Sequence, residues 1–231
     1  MSHEYWKIFW REQAQSTSSA PAQCQVLRTL NKQPLADDIF AKILHQIENA
    51  LQLSSDDVLV DLCCGNGAIT TYLAQKCESV LAIDYSRDLL AQIDTVMHPN
   101  VSIREEDVDQ AALPEGGFTK SLIYAGIQYF SEPKVVRLVS NIARSLRPGG
   151  LLYIGDIPDA DHLWNFFNNA ERENAYFDSL KFDKPIIGTW LRRDWLSKLG
   201  NYAGFTNAQV IEHPEDFPYA HYRFDMVLQK N

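Results

Sequence analysis

Short apolar runs recur along the chain, and segments with a helical spacing of apolar residues separate them. The runs cover residues 58–62, 80–84, 101–103, 118–124 and 151–155. Their length and β-branched content are typical of strands that are buried on both faces of a sheet. The intervening segments, such as residues 34–51, predict amphipathic helices. Strands that alternate with helices predict right-handed βαβ crossovers and a parallel sheet covered on both faces.

The pattern changes towards the C-terminus. A predicted helix from about residue 193 to 203 is followed by two strand-like runs, residues 205–212 and 222–228. The stretch that joins them contains proline and is too short for the crossover helix that parallel strands need. We therefore expect these two strands to pair as an antiparallel hairpin at the edge of the sheet.

Two further segments lie outside this alternation. Residues 1–33 begin with a predicted aromatic helix, which either forms a lid over a site or simply packs on the body of the domain. Residues 157–190 are rich in aromatic side chains and asparagine, and they predict a helical cap insertion with a helix near residues 163–180. The expected organisation is a single domain, residues 1–231, that carries this lid and this cap.

The composition narrows the classes of function. The chain has 231 residues, of which 45% are hydrophobic and 22% charged, which fits one globular domain. A formal net charge of -9 disfavours a nucleic-acid partner, because an acidic surface repels phosphates. No apolar run approaches the roughly 20 residues of a membrane-spanning helix, and the N-terminus lacks a signal-peptide pattern. We therefore expect a cytoplasmic protein without a membrane partner, either a monomer or a homodimer.

A glycine loop follows the first apolar run. The segment Asp61-Leu62-Cys63-Cys64-Gly65-Asn66-Gly67 ends a predicted strand and leads into a predicted helix, residues 68–74. A strand, a tight loop and a helix N-terminus bring backbone N–H groups close to a ligand, which predicts a nucleotide-like cofactor. A dinucleotide is disfavoured, because Thr70 stands where its pattern has a third glycine and the Asp61 carboxylate lies near the pyrophosphate position. Both departures suit a cationic ligand.

The two adjacent cysteines in this loop, Cys63 and Cys64, have two interpretations. Either they bind a metal or respond to oxidation, or they are small side chains that fill a tight space in a reducing compartment. The chain has 4 cysteines, and none of them forms a C-x-x-C pair. We favour the second interpretation.

Acidic residues end the next two predicted strands. Asp84 closes the second strand about 20 residues after the glycine loop, the distance at which an acid meets ribose hydroxyls. Asp107 follows the third strand. Because ligands bind at the carboxyl ends of the strands in open α/β sheets, we expect Asp61, Asp84 and Asp107 to gather at one site, with Tyr85 against a base ring.

These segments resemble, in order, the motifs of the class I S-adenosylmethionine-dependent methyltransferases. Besides the glycine loop, in which Cys63 stands where glycine is commoner, the matching segments are Ala82-Ile83-Asp84-Tyr85-Ser86, Glu106-Asp107-Val108, Leu146-Arg147-Pro148-Gly149-Gly150 and Ala203-Gly204-Phe205. The resemblance covers roughly residues 34–231. It implies an α/β three-layer sandwich with a seven-stranded, mostly parallel sheet ordered 3-2-1-4-5-7-6 and strand 7 antiparallel. It also implies S-adenosylmethionine as cofactor and S-adenosylhomocysteine as product.

The resemblance also implies roles for single residues. Gly65 and Gly67 pass beneath the methionine moiety, Cys63 belongs to the same cofactor-binding loop, and Asp61 lies near the methionine ammonium. The other expected contacts are Asp84 with both ribose hydroxyls, Asp107 with the adenine amino group, Val108 and Tyr85 on the two faces of adenine, the backbone of Tyr124 and Ala125 at the methionine end, and Arg28 at the methionine carboxylate. The other interpretation of Arg28 is a plain surface arginine.

Three residues near the end of the fifth strand are candidates for a catalytic base: Asp156, Asp159 and His162. Methyl transfer is an in-line displacement at a sulfonium, and positioning and exclusion of water supply much of its rate. A hydroxyl acceptor benefits from a base in addition. The same cluster has ligands for a divalent ion, but clustered acids are more often a solvated turn, and we expect no metal.

The acceptor expected from the sequence is a small molecule. After the fourth strand the chain has Tyr124-Ala125-Gly126-Ile127 in place of the Asn/Asp-Pro-Pro-aromatic motif of enzymes that methylate amino groups of nucleic acids. Together with the acidic charge, this argues against DNA adenine or cytosine-N4 substrates. The segments Leu151–Asp159 and Ile127-Gln128-Tyr129-Phe130 resemble methyltransferases of bacterial surface-glycan or secondary-metabolite pathways. This resemblance implies methyl transfer to a hydroxyl of a sugar, a glycan precursor or a secondary metabolite. The alternatives are N-methylation of a small amine, an NAD-dependent oxidoreductase and a non-catalytic nucleoside-binding module.

Overall fold

The computed structural model describes residues 3–231, in which helices and strands alternate over most of the length. The helices are α1 (His3–Ser16), α2 (Ala22–Gln25), α3 (Asp37–Leu51), α4 (Thr70–Leu73), α5 (Arg87–Leu90), α6 (Glu132–Ser145), α7 (Leu163–Phe166), α8 (Ala170–Lys181) and α9 (Arg193–Ala203). The strands are β1 (Thr29–Leu30), β2 (Gln33–Pro34), β3 (Val58–Leu62), β4 (Ser79–Asp84), β5 (Val101–Glu105), β6 (Phe118–Tyr124), β7 (Leu146–Pro158), β8 (Phe205–Glu212) and β9 (Arg223–Lys230). Within these residues, no helix is long and apolar enough to cross a membrane.

The main sheet has 7 strands in the order β5-β4-β3-β6-β7-β9-β8, and β1 and β2 form a separate small hairpin. The strands from β3 to β7 pair with one another in parallel, whereas β9 is antiparallel to both β7 and β8. Counted without the small hairpin, this is the order 3-2-1-4-5-7-6 with strand 7 antiparallel. The predicted fold class, including the C-terminal hairpin, is therefore confirmed.

Both faces of the sheet are covered by hydrophobic cores. Successive residues of each central strand point to opposite faces and so join different cores. On β3, Val60 and Leu62 join a hydrophobic core with residues of α6 and α9. Leu59 joins a second core on the other face, together with residues of α3. All three side chains are fully buried. The carboxyl ends of β3, β4, β5 and β6 lie side by side at one edge of this layered structure.

Two helices are shorter than the sequence predicts. The helix expected over residues 34–51 begins at Asp37, because Pro34 belongs to β2. The helix expected over residues 68–74 is reduced to the single turn of α4. The ligand site after the glycine loop therefore depends on side chains and loop N–H groups more than on the dipole of a long helix.

The strand before the cap and the cap itself also differ from the prediction. β7 extends well beyond the predicted residues 151–155 at both ends. In the cap, the Asn169 side chain accepts a hydrogen bond from the backbone N–H of Arg172 and caps α8. Since such a cap starts a new helix, the single helix predicted near residues 163–180 is two helices, α7 and α8.

Candidate functional site

A cavity lies at the carboxyl ends of β3, β4, β5 and β6. It measures about 910 Å³ when the part open to solvent is counted. Every residue that the sequence assigns to the cofactor, except Gly67, lines it: Arg28, Asp61, Cys63, Gly65, Asp84, Tyr85, Asp107, Val108, Tyr124 and Ala125. The topology of the parallel sheet thus brings together residues that lie far apart in the chain.

The Asp84 carboxylate is held in place by backbone on both of its oxygens. The Gly65 N–H donates to Oδ2 at 2.9 Å, and the Ser86 N–H donates to Oδ1 at 2.8 Å. The Asp84 residue is 7% exposed, and burial raises the pKa of its carboxyl group. A carboxylate oriented in this way still has lone pairs for two hydroxyl donors, as a ribose anchor requires.

The glycine loop and the neighbouring strand ends adopt left-handed backbone conformations. Cys63 and Ala125, which follow β3 and β6, have φ of 61° and 53°. Such conformations are costly for residues other than glycine and concentrate at functional sites. Gly67 has φ of 75°, and a Cβ atom there would lie 2.5 Å from Ile93 Cγ1. Gly67 is therefore required by packing behind the loop and does not itself line the cavity.

Asp61 is a buried carboxylate whose partner is Thr70, the residue that replaces the third glycine of the dinucleotide pattern. The Thr70 hydroxyl donates to Asp61 Oδ2 at 2.6 Å. Burial, with a smaller contribution from the charge of Asp84, raises the pKa of Asp61 to about 7 against the opposing effects of the Thr70 hydrogen bond and of Arg28. Asp61, Asp84 and Asp107 all line one cavity, so the cavity favours a cationic ligand over a pyrophosphate.

Arg28 lies in this cavity and not on an open surface. Its guanidinium carbon is 4.4 Å from the centroid of the Tyr124 ring. Its Nη1 atom is buried and has no hydrogen-bond partner within residues 3–231. A buried, unpaired guanidinium N–H is costly, and a ligand carboxylate is the acceptor that suits it best. The cavity therefore has a cationic end at Arg28 and an anionic wall of three carboxylates, which fits the zwitterionic methionine end and the sulfonium of S-adenosylmethionine.

The N-terminal helix α1 covers this cavity with three residues that the sequence did not single out as site residues: Trp6, Lys7 and Trp10. Lys7 Nζ lies 2.7 Å from Asp107 Oδ2, and the Tyr85 hydroxyl donates to the Trp6 carbonyl at 3.1 Å. The indole Nε1 atoms of both tryptophans are buried without a hydrogen-bond partner in the part of the chain described. The aromatic face of the predicted helix was the only sequence signal for this contact.

Comparison with known proteins agrees with the geometry of the cavity. A family model described as a methyltransferase domain matches residues 59–150, which include the glycine loop, Asp84 and Asp107. This match and the solved structures with the same fold support a class I S-adenosylmethionine-dependent methyltransferase. The predicted family and the predicted cofactor, S-adenosylmethionine, are confirmed.

The relatives of this chain differ in the acceptors that their names give. An rRNA adenine N-6-methyltransferase of Bacillus licheniformis is 30% identical over 112 residues, which are 47% of this chain and 38% of the relative. An uncharacterized methyltransferase of Synechocystis sp. is 28% identical over 164 residues, which are 70% of this chain and 73% of the relative. The chain thus spans less than half of the length of the rRNA-directed relative.

A solved structure with the same fold is that of phosphoethanolamine N-methyltransferase 1 of Haemonchus contortus, in complex with phosphoethanolamine and S-adenosylhomocysteine. It matches with a TM-score of 0.70 and 14% identity over 99% of this chain and 50% of that one. At this identity the likeness establishes the fold alone. The relatives and this structure together leave the class of acceptor open between small molecules and RNA.

The cysteines of the methyltransferase loop are not activated thiols. Burial, followed by the negative charges of Asp84 and Asp61, raises the pKa of both Cys63 and Cys64 well above the usual range. Both thiols therefore stay protonated at physiological pH, which disfavours metal binding and oxidation. Within residues 3–231, no group of three or more histidine, cysteine and acidic side chains is arranged to hold a metal ion.

Two of the three candidate bases lie away from the cofactor cavity. The Asp159 side chain is fully buried, with Oδ2 at 2.8 Å from His162 Nδ1 and 2.7 Å from Arg193 Nε. Neither Asp159 nor His162 lines the cofactor cavity or the cavity beside it. These contacts link the cap to α9, and the catalytic role of Asp159 and His162 stays a prediction that the position of neither side chain supports.

A second cavity adjoins the first, and the third candidate base lies there. It measures about 420 Å³ when the part open to solvent is counted, and Arg28, Tyr124 and Ala125 line both cavities. Asp156 lines the second cavity, where its Oδ2 lies 3.0 Å from Arg223 Nη1. His213 lines it as well, and sequence reasoning missed this residue because no motif surrounds it.

Proposed function

We propose that this methyltransferase transfers the methyl group of S-adenosylmethionine to a hydroxyl of a small molecule. The observation that carries the proposal is the set of charges in the cavity, which is lined by three carboxylates and by Arg28, whose buried Nη1 atom has no hydrogen-bond partner within residues 3–231. S-adenosylmethionine has two positive centres and one carboxylate, so its charges complement this arrangement. When bound, it supplies a methyl group that is already activated on a sulfonium.

Each residue of the cavity would contact a different part of the cofactor. Asp84 would accept hydrogen bonds from the ribose hydroxyls, and Asp107 would accept one from the adenine amino group. Arg28 would bind the methionine carboxylate, and Asp61 would face the methionine ammonium. Trp6, on the helix that covers the cavity, would exclude water from the donor, which favours transfer to the acceptor over hydrolysis.

Three observations support a small acceptor over RNA. The net charge of -9 opposes the approach of a phosphate backbone. The second cavity, which adjoins the proposed methionine end of the cofactor site, is lined by the N-terminal segment and by the loop that contains His213, and its volume of about 420 Å³ suits a small molecule. The chain also has Tyr124-Ala125-Gly126-Ile127 where amino-directed nucleic-acid enzymes have an Asn/Asp-Pro-Pro-aromatic motif.

Turnover on a mixed panel of acceptors tests this proposal. Release of S-adenosylhomocysteine is measured by mass spectrometry with phenols, alcohols, sugars, small amines and an adenine-containing RNA hairpin. We expect release with hydroxyl compounds and none with the RNA. Turnover on the hairpin alone would replace the proposal by RNA methylation, and donor binding without turnover on any member would favour the non-catalytic module.

A further inference from the structure

A histidine and an aspartate form a buried pair next to the second cavity. His213 Nε2 lies 2.7 Å from Asp225 Oδ1, and the two side chains are 2% and 1% exposed. His213 follows the last residue of β8, and Asp225 lies on β9 opposite Ile211. A histidine held by a buried carboxylate is oriented for proton transfer, provided that its other ring nitrogen reaches a substrate.

The Asp225 carboxylate is fixed by several donors. Its Oδ1 also accepts from the backbone N–H of Asp156 at 2.7 Å, and its Oδ2 accepts from Gln46 Nε2 at 2.6 Å and from the Tyr153 hydroxyl. Because an ionised carboxylate only accepts, the neutral His213 ring carries its proton on Nε2 and a lone pair on Nδ1. Within residues 3–231, Asp225 is the hydrogen-bond partner of the His213 ring, and Nδ1 has no partner.

The second cavity joins His213 to the cofactor site. Arg28 and Tyr124 line both cavities, and their stacked side chains therefore lie at the boundary between them. His213 lines the second cavity together with Arg28 and Tyr124, so a ligand bound there can contact both the boundary and His213. The remaining walls are mainly apolar and include Leu35, Ile43, Phe217 and Pro218. Apolar walls with a few polar groups favour a flat ring compound over a free sugar.

We propose that His213 is the general base for a phenol bound in the second cavity, and that Asp225 is the residue that positions it. The proposal rests on the proposed function and names the acceptor class of the same site. The phenol O–H bond breaks, and its proton passes to His213 Nδ1. The phenol oxygen forms a bond to the methyl carbon, while the bond from that carbon to sulfur breaks and leaves its electron pair on sulfur. The products are an aryl methyl ether and S-adenosylhomocysteine, and the imidazolium then loses its proton to solvent.

The acidity of the acceptor decides between a phenol and an alcohol. Burial lowers the pKa of His213, but the hydrogen bond and charge of Asp225, aided by Asp156, outweigh it, so the pKa lies above the ordinary 6.5. A phenol ionises near pH 10, only a few units higher, whereas an alcohol, like water, is a far weaker acid. An imidazole is therefore strong enough to help a phenol and far too weak to ionise an alcohol.

The other titratable groups of this cavity are less suited to the role. Burial raises the pKa of the Tyr124 and Tyr219 hydroxyls, so both stay protonated at neutral pH. The Asp156 carboxylate is paired with Arg223. Within residues 3–231, the charged and titratable groups that line the second cavity or contact the His213–Asp225 pair include Asp225 and Arg223 on β9, Asp156 and Tyr153 on β7, Tyr219 on its own loop, and Arg28 and Tyr124 at the boundary.

The test compares His213→Gln with His98→Gln, a histidine that lines neither cavity. Each variant is assayed with phenol, cyclohexanol, aniline and 4-nitrophenol, and calorimetry with S-adenosylhomocysteine is run alongside. We expect His213→Gln to bind S-adenosylhomocysteine as tightly as the unmodified protein does. Its turnover of phenol should be about 100-fold lower and should no longer rise with pH. 4-Nitrophenol is largely ionised in mildly alkaline buffer and needs no base, so its turnover should be nearly unchanged. Asp225→Asn should shift the pH profile while retaining part of the rate.

A structural role of His213 would lower the turnover of phenol and 4-nitrophenol equally, and that result overturns the proposal. Turnover of cyclohexanol, but not of phenol, also overturns it and leaves the proposed function intact, whereas turnover of aniline alone overturns both. If the unmodified protein does not bind S-adenosylhomocysteine, in contrast, the proposed function itself is wrong. If His213→Gln fails to fold, the unmodified protein labelled with ¹⁵N-histidine and loaded with S-adenosylhomocysteine gives the answer. Phenol should then shift the His213 Nδ1 resonance, and the absence of a shift at saturating phenol contradicts the proposal.

Discussion

The Gly65 N–H donates a hydrogen bond to the Asp84 carboxylate over 2.9 Å, so the loop after β3 and the acid that ends β4 form one unit. The loop conformation depends on this acceptor, because Gly65 has φ of 58° and the contact fixes its N–H direction. The Ser86 N–H holds the other oxygen. A ligand that binds Asp84 therefore binds a carboxylate that is already oriented, and it avoids the free-energy cost of ordering one.

We expect Asp84→Asn to weaken S-adenosylmethionine binding by about 1.5–3 kcal/mol, roughly 10- to 150-fold. The amide removes the charge and presents an N–H group to a backbone N–H donor, which disturbs the loop as well as the ribose contact. Isothermal calorimetry measures the effect. Asp88→Asn, an exposed position four residues further on, serves as the matched control and should leave the affinity unchanged. Equal affinities for the two variants would remove Asp84 from the site.

Arg28→Met should weaken the binding of the methionine end of the cofactor without affecting the adenosine end. S-adenosylhomocysteine has the carboxylate that Arg28 is proposed to bind, and 5′-methylthioadenosine lacks it. We expect the variant to lose about 1.5–3 kcal/mol of binding free energy for S-adenosylhomocysteine, because a charge-assisted pair is lost. Binding of 5′-methylthioadenosine should stay within about twofold of the unmodified protein. An equal loss for both ligands would mean that Arg28 acts by packing on Tyr124.

Asp61 should make the stability of the protein depend on pH. Its pKa is about 7 in the folded protein and near the ordinary 3.8 in the unfolded chain, so the folded state binds more protons between these values. The free energy of unfolding should therefore fall as pH rises from about 4 to 7, by up to about 4 kcal/mol.

Asp61→Asn should remove this fall, because an amide does not ionise. Chemical denaturation across that pH range measures the slope, and the exposed Asp56→Asn variant controls for a general change of charge. If Asp61→Asn and the unmodified protein show the same slope, the carboxyl group ionises at its ordinary pH in the folded state.

The Lys7–Asp107 ion pair should slow the entry of the cofactor. Lys7 is paired with the Asp107 carboxylate, which is proposed to accept a hydrogen bond from the adenine amino group. Lys7 also belongs to α1, the helix that covers the cavity. The pair is partly exposed, so its removal by Lys7→Met should raise the association rate of S-adenosylhomocysteine only about two- to fivefold. Stopped-flow quenching of tryptophan fluorescence gives the rate. Arg11→Met removes a charge from the exposed face of the same helix, and an equal rate for both variants would indicate a packed helix without a gating role.

The sequence predicts the sheet and its acidic edge well because both follow from local patterns. The apolar runs of β3 and β4 are continuous, and Asp61 and Asp84 stand at their ends, where a parallel sheet must bring them together. The topology then decides the rest of this edge. The contact between Gly65 and Asp84 therefore follows from the pairing of β3 with β4.

The contacts that the sequence does not reveal depend on register and on long-range packing. His213 meets Asp225 only because β9 lies between β7 and β8 in a particular register, and no short motif encodes that register. Lys7 and Asp107 are distant in the chain and meet through the docking of α1. His162 was the histidine that the sequence suggested as a base, but its side chain pairs with the buried Asp159 in the cap.

Calorimetric titration of the unmodified protein with S-adenosylhomocysteine and with NAD tests the central claim most directly. The two ligands share adenosine but differ in charge, since NAD places a pyrophosphate where this cavity has the Asp61 carboxylate. We predict saturable binding of S-adenosylhomocysteine and no heat with NAD at the same concentrations. Tight binding of NAD, without binding of S-adenosylhomocysteine, would contradict the assignment of this cavity to a methyl donor.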